Sequence, residues 1–371
     1  MESNLAAQAG ETTVLVDLED RSYPIHIASS ATGRFAAMVK NAVGDLTHAV
    51  VIYDEAVTSL ADALCEPLQS VSQRIDRFAV PSGETSKSVK QYETLLEQML
   101  QCGSDRKSVV FAVGGGVIGD LAGFVAASFA RGVRFVQVPT TLLAMVDSSV
   151  GGKTGINLSG AKNMVGAFWQ PELVWIDTEV MRTLPDRSYL SGLAEVVKYG
   201  LIDDAEFFEY LESNAEALVK RQTKELQFSI ARSCQSKANV VREDERETSG
   251  RRAILNYGHT FAHAIEATAG YGTLLHGEAV SIGMQMAASL AIDLGLCDAS
   301  VLERQTELLK RCELPIRFPA ADIDAMIPVM MRDKKVAHGK LRFILPRGIG
   351  KVDLVGDVDQ SAVKAAIEAH R

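Results

Sequence analysis

Short apolar runs, each bounded by glycine, proline or charge, alternate with stretches of helical spacing through the first half of the chain. Val109 to Val113 is an apolar, β-branched run that reads as a strand buried on both faces. Ala49 to Tyr53, Val133 to Val138 and Leu173 to Ile176 predict further strands, and Phe78 to Pro81 closes another. Thr13 to Leu18 and Tyr23 to Ile27 predict a pair of short strands around the turn Glu19 to Ser22. Apolar positions recur at helical spacing from Val89 to Cys102, where Gly103 is placed to end the helix, and Val117 to Ala130 reads as a helix of small apolar residues. From Ser188 the pattern changes to long helical stretches with few β-branched runs. Near the end, Leu341 to Leu345 predicts a hairpin with Val352 to Val355, followed by a helix from Ser361 to Ala369. The chain thus reads as an α/β domain over residues 1–185 and a mostly α-helical domain over residues 186–371.

Composition narrows the function classes. A chain of 371 residues is comfortable for two domains, and 47% hydrophobic with 23% charged residues is ordinary for a soluble globular protein. A net charge of −9 argues against general nucleic-acid binding, which needs a basic face. From Ser108 to Ala130 only Asp120 is charged, but three consecutive glycines suit a buried strand-turn-helix better than a membrane span. The five cysteines are scattered without a CxxC pair, so no disulfide framework is expected, and no signal peptide is evident. Both readings point to the cytoplasm.

The candidate chemistry gathers at strand ends. Gly114, Gly115 and Gly116 turn a strand into a helix, an arrangement that brings backbone N–H groups up to a phosphate. Thr140 and Thr141 offer hydroxyls at a second strand end, and Asp54 stands at a third, where a carboxylate can accept from ribose hydroxyls or merely cap a turn. The segment from Ser82 to Lys87 is either a capped helix start with a solvated lysine or a place for Glu84 and Lys87 beside a cofactor. Asp147, Lys153, Lys162 and Asn163 follow in a polar, glycine-rich stretch that suits an anionic substrate.

The second half carries His259, His263 and His276 close in sequence. His259 and His263 share a helix face, and Glu195 is the carboxylate candidate, with Lys198 one turn further along. Three imidazoles, or two plus a carboxylate, would leave a coordination position open on zinc. Spacing allows either His259 with His263 or His259 with His276 as the pair. Arg131, Lys153, Lys162, Lys198, Lys237, Arg252, Lys334 and Lys335 lie within or beside these motifs, enough to line a pocket for a phosphate and a carboxylate.

The stretches GGGVIGD, VPTTLLAMVDSSVGGKTGIN, GAKNMVGAF, LAEVVKYG, LNYGHTFAHAIE and HGEAVSIGM, taken in order, resemble the motif series of the 3-dehydroquinate synthase family. The resemblance spans nearly the whole chain. It implies a Rossmann-like N-terminal domain, a mostly helical C-terminal domain, an active site in the cleft between them and a homodimer. It implies zinc or cobalt on Glu195, His259 and His276, with His263 in the site but off the metal. It implies NAD held by Asp54, Glu84, Lys87, Gly114, Gly115, Gly116, Val117, Asp120, Thr140, Thr141, Lys153, Lys162 and Thr183. Contacts to a sugar phosphate substrate would come from Asp147, Lys153, Asn163, Lys198, Lys237, Arg252, Asn256 and Lys335 or Lys334, and Arg131 would reach in from a partner subunit. The segment Glu247 to Arg252 is one residue longer than the family pattern, so Arg251 competes with Arg252 for its role.

Overall fold

The computed structural model describes residues 11–159, 161–270, 273–332 and 341–371. It divides into two compact units: Met1–Leu184 together with Lys237–Arg242, and the remainder from Pro185 on.

The first unit is built on a seven-stranded sheet. Its strands are β1 (Thr12–Val16), β2 (Tyr23–Ala28), β3 (Ala49–Asp54), β4 (Ile75–Val80), β5 (Val109–Gly114), β6 (Arg134–Pro139) and, after the β7–β8 hairpin, β9 (Leu173–Asp177). The order is β1-β2-β9-β6-β5-β3-β4, and every pairing is parallel except β1 with β2. Helices α1 (Phe35–Val43), α2 (Thr58–Leu68), α3 (Val89–Gln101) and α4 (Gly116–Ser128) supply the crossovers. Two separate cores explain why the strands lack alternation. Val51, Val109, Phe111 and Val113 pack with Phe35, Val39 and Leu64. Val50, Ile52, Val110 and Ala112 pack with Leu95, Met99, Leu121 and Val125. With both faces covered, the residues of β3 and β5 are apolar whichever way they point until the strand ends.

The sequence pattern does not predict the two-stranded sheet of β7 (Lys153–Leu158) and β8 (Ala161–Phe168), which occupies the polar, glycine-rich stretch. Gly155 and Gly166 make it possible: a Cβ on Gly166 would lie 2.0 Å from the Thr154 carbonyl oxygen.

The second unit contains α5 (Asp186–Asp203), α6 (Ala205–Val219), most of α7 (Thr223–Glu243), α8 (His259–Ala269), α9 (His276–Asp293), α10 (Ala299–Arg311), α11 (Ile323–Arg332), the hairpin of β10 (Phe343–Gly348) and β11 (Lys351–Val355), and α12 (Gln360–Ala369). Helix α9 is its axis, buried along almost its whole length and packed against α5, α8, α10, α12 and β10. Small residues permit that crowding. A Cβ on Gly283 would lie 2.2 Å from the Gly258 carbonyl oxygen, and one on Gly277 would lie 1.8 Å from that of Ser191. Among the described residues no helix is long and apolar enough to cross a membrane.

Candidate active site

Those two close approaches bring three ligand-type side chains together in the second unit. Glu195 lies on α5, His259 is the first residue of α8, and His276 is the first residue of α9. One ligand atom from each lies within 4.8 Å of the others. Nε2 of His259 is 3.5 Å from Glu195 Oε1, and Nε2 of His276 is 3.7 Å from the same oxygen. His263 stands beside them, its ring centroid 5.7 Å from that of His259. The first turn of α9 is fixed to α5 by Arg187, whose Nε and Nη2 each donate to Glu278 at 2.7 Å.

Glu195 is fully buried, and neither of its oxygens receives a well-formed hydrogen bond, although the Lys198 ammonium lies against Oε2. A carboxylate removed from water without full hydrogen bonding is costly. A divalent cation at this point would satisfy it. His259 matches that requirement, because burial, followed by the charges of Lys198, His276 and His263, holds its pKa well below the ordinary imidazole value. A neutral imidazole is the form that binds metal. The residues present therefore fit a divalent metal with two imidazoles and one carboxylate.

A second cluster of metal-ligand type, His48, Asp76 and Cys102, lies at the other end of the sheet strands in the first unit. There the Arg74 guanidinium is 2.8 Å from His48 Nδ1 and 3.2 Å from Asp76 Oδ2. It already supplies the positive charge, so this is a closed charge network.

In the first unit the glycine turn sits where β5 enters α4, and no side chain caps that helix N-terminus. A Cβ on Gly114 would lie 2.6 Å from Ile118 and 3.3 Å from the Asp54 Cβ, and one on Gly115 would lie 3.2 Å from Thr141. Asp54, the glycines and Thr141 thus share one strand-end corner, with the Thr140 N–H donating to the Gly114 carbonyl at 2.9 Å. These features fit a dinucleotide phosphate. Asp54 also accepts from the Ala56 N–H at 2.9 Å, so it caps a turn as well.

Lys87 is buried, so the solvated reading of this residue is incorrect. Its ammonium meets Asp120 and Asn163, while Asn157 links Glu84 (Nδ2 to Oε1, 2.7 Å) to the Asn163 N–H (2.9 Å). Burial pushes the Asp120 carboxyl upward against the opposing pull of Lys87. Lys237, on the part of α7 that belongs to this unit, donates to Asp147 Oδ1 at 2.6 Å. Lys153 and Lys162 lie exposed on the β7–β8 hairpin. Thr183 donates its hydroxyl to the Val180 carbonyl at 3.1 Å. Arg131 is not near the glycine turn. It follows the far end of the 13-residue α4, roughly 20 Å away at 1.5 Å per residue, in a left-handed run with Ala130.

The two arginine candidates have different surroundings. Arg251 pairs with Glu243 and Asp203. Arg252 is buried, and its Nη1 donates to the Glu245 carbonyl at 2.6 Å. Asn256 donates to the Ala253 carbonyl at 3.3 Å. Lys334 and Lys335 lie outside the described residues.

Asp244 organises this loop and was not predicted from sequence. It accepts from the N–H groups of Thr248 (2.8 Å), Ser249 (3.0 Å) and Arg252 (3.1 Å). Burial alone would raise its pKa, but these donors outweigh it and hold the carboxyl at about 2, below the ordinary 3.8. A depressed pKa stabilises the fold above the unfolded value and loses that contribution as pH falls through the folded one. Asp244→Asn is therefore expected to lower the melting temperature at neutral pH. The gap to the unmodified protein should close between pH 3.8 and about 2, as read by thermal melts across that range.

Comparison with known proteins agrees with this geometry. Residues 77–191 match the model of the 3-dehydroquinate synthase N-terminal region and residues 192–336 that of the C-terminal region. The 3-dehydroquinate synthase of Rhodopirellula baltica is 61% identical over 365 residues, covering 97% of both chains. Among solved structures, 2-deoxy-scyllo-inosose synthase complexed with carbaglucose-6-phosphate, NAD+ and Co2+ aligns with a TM-score of 0.89 at 27% identity, over 97% of this chain and all of that one. The 2-epi-5-epi-valiolone synthase of Streptomyces hygroscopicus, with NAD+ and Zn2+ bound, aligns at 0.85 and 30% identity, over 95% of this chain and 98% of that one. The fold, shared at these identities over nearly the whole chain, is that of a sugar phosphate cyclase. Within that class, the chain belongs to the 3-dehydroquinate synthase family.

Proposed function

We propose that the chain is a phosphate-eliminating lyase that converts 3-deoxy-D-arabino-heptulosonate 7-phosphate into 3-dehydroquinate and phosphate, acting as a homodimer with NAD and zinc or cobalt. The observation that carries this reading is the fully buried Glu195 facing two imidazole nitrogens, in a chain 61% identical to a synthase of that name. Glu195, His259 and His276 would hold the metal, and the glycine turn with Asp54, Thr141 and the Lys87–Asp120 pair would hold the dinucleotide. Held there, the metal would supply polarisation of a ring hydroxyl, and the dinucleotide would supply a reversible hydride acceptor.

The remaining work falls to the chain. Elimination breaks the C–O bond to phosphate and removes a neighbouring C–H proton, which the departing phosphate itself accepts. Lys198, Lys237 and Arg252 are the cations proposed to neutralise that dianion, and fixed charges cost no reorganisation when the bond breaks. His263, beside the ligand histidines, is suited to pass a proton to and from a substrate oxygen. Asn163, Asn256 and Lys153 would orient the opened ring for its aldol closure. The distance of Arg131 from the glycine turn of its own chain suits a role supplied by a second copy.

Incubation with the heptulosonate phosphate and NAD is expected to release phosphate and 3-dehydroquinate in equal amounts, with no net NADH and with loss of activity on chelation. Steady NADH accumulation would instead indicate a simple polyol dehydrogenase.

A further inference from the structure

We propose that Glu266 is the positioning residue that fixes His276 as a metal ligand. The proposal rests on the reading of Glu195, His259 and His276 as the metal site, and it concerns a residue outside that set.

Each ligand histidine directs Nε2 toward Glu195, so each must have its Nδ1 occupied elsewhere. His259 places Nδ1 3.0 Å from the Tyr257 carbonyl oxygen, a backbone acceptor only two residues away. At His276 a side chain stands beside Nδ1. Its Nδ1 lies 3.4 Å from Glu266 Oε1, a carboxylate on a different helix. Glu266 sits seven residues beyond His259 and three beyond His263, on the same face of α8. One face of α8 therefore carries a ligand and the group that orients the ligand of α9.

The need is greater at His276. Its side chain is 30% exposed, against 11% for His259, so packing restrains its ring less. A carboxylate on Nδ1 selects the tautomer with its proton there, leaves the Nε2 lone pair for the metal and makes that nitrogen a stronger donor. Removal of such a carboxylate lowers metal affinity by about 10–100-fold in known sites.

The test is Co2+ titration of metal-free protein, followed by calorimetry and by the visible d–d bands of cobalt. Glu266→Ala is expected to weaken cobalt binding by about 10–100-fold and to alter the band pattern, while the metal-free melting temperature stays unchanged. Glu266→Gln keeps an acceptor without the charge and should fall between the two. Cobalt affinity in Glu266→Ala within about twofold of the unmodified protein, well short of the range for such carboxylates, overturns the proposal. If the alanine variant does not fold, Glu266→Gln decides on the same criterion. Failure of the unmodified protein to bind cobalt would overturn the metal reading itself, which separates the two outcomes.

Discussion

Glu195→Gln is expected to give a folded protein with its divalent-metal affinity reduced by about 10³-fold and no measurable turnover. Structural zinc in zinc-finger peptides is bound with on the order of 10–16 kcal/mol, and on that scale one protein ligand of three accounts for roughly 4 kcal/mol, or about 10³ in affinity. The amide keeps the shape of the side chain but not its charge. Either substitution strips the counter-charge from Lys198, whose side chain is only 1% exposed, and Glu195→Ala should add to that stability defect by leaving a cavity. Breaking a buried pair in this way costs about 3–5 kcal/mol, and Lys198→Met in the same background should recover part of it. Metal content by atomic absorption and thermal melts check both points. A Glu195→Gln protein that retains stoichiometric zinc would refute the ligand set.

Gly277→Ala is the second substitution with a large expected effect, although residue 277 carries no chemistry. Its new Cβ would meet the Ser191 carbonyl oxygen at 1.8 Å and the carbonyl carbon at 2.6 Å. Both are backbone atoms of α5 and cannot rotate aside, so the first turn of α9 must retreat. The Gly277 N–H would then also lose its bond to Ser191 Oγ, now 3.0 Å. Overpacking of this kind costs about 3 kcal/mol, and because the adjacent His276 moves with the turn, metal affinity should fall with stability. Gly33→Ala is the matched control: nothing lies within 4 Å of its added Cβ, so a change of under about 0.5 kcal/mol is expected. Equal melting temperatures for the two variants would contradict the close approach of α5 and α9.

The parallel strands were legible because burial on both sides leaves no polar position in β3 or β5 until the strand ends. The histidines of the Glu195, His259 and His276 cluster were legible as candidates because His259, His263 and His276 crowd into one glycine-punctuated stretch. The β7–β8 hairpin was not legible, since β8 is exposed or half-buried throughout and shows no apolar period. Nor could the sequence decide whether Lys87 is solvated, because its partners Asp120 and Asn163 lie 33 and 76 positions away. Glu266 was missed although a signal existed: it continues the His259, His263 face of α8 by one more turn. The choice of His276 over His263 beside Glu195 depends on the Gly277–Ser191 approach, a tertiary contact that helical spacing does not encode.

His259 and His276 each open a helix, so two helix amino ends converge on one carboxylate. Such an end carries roughly half a positive charge; that of α9 is met by Glu278, and the Lys198 ammonium adds a full charge against Glu195. A divalent ion seated there keeps most of its charge uncompensated by the protein. The centre is thus biased toward holding an oxyanion, and a neutral sugar should be a much poorer guest than a deprotonated one.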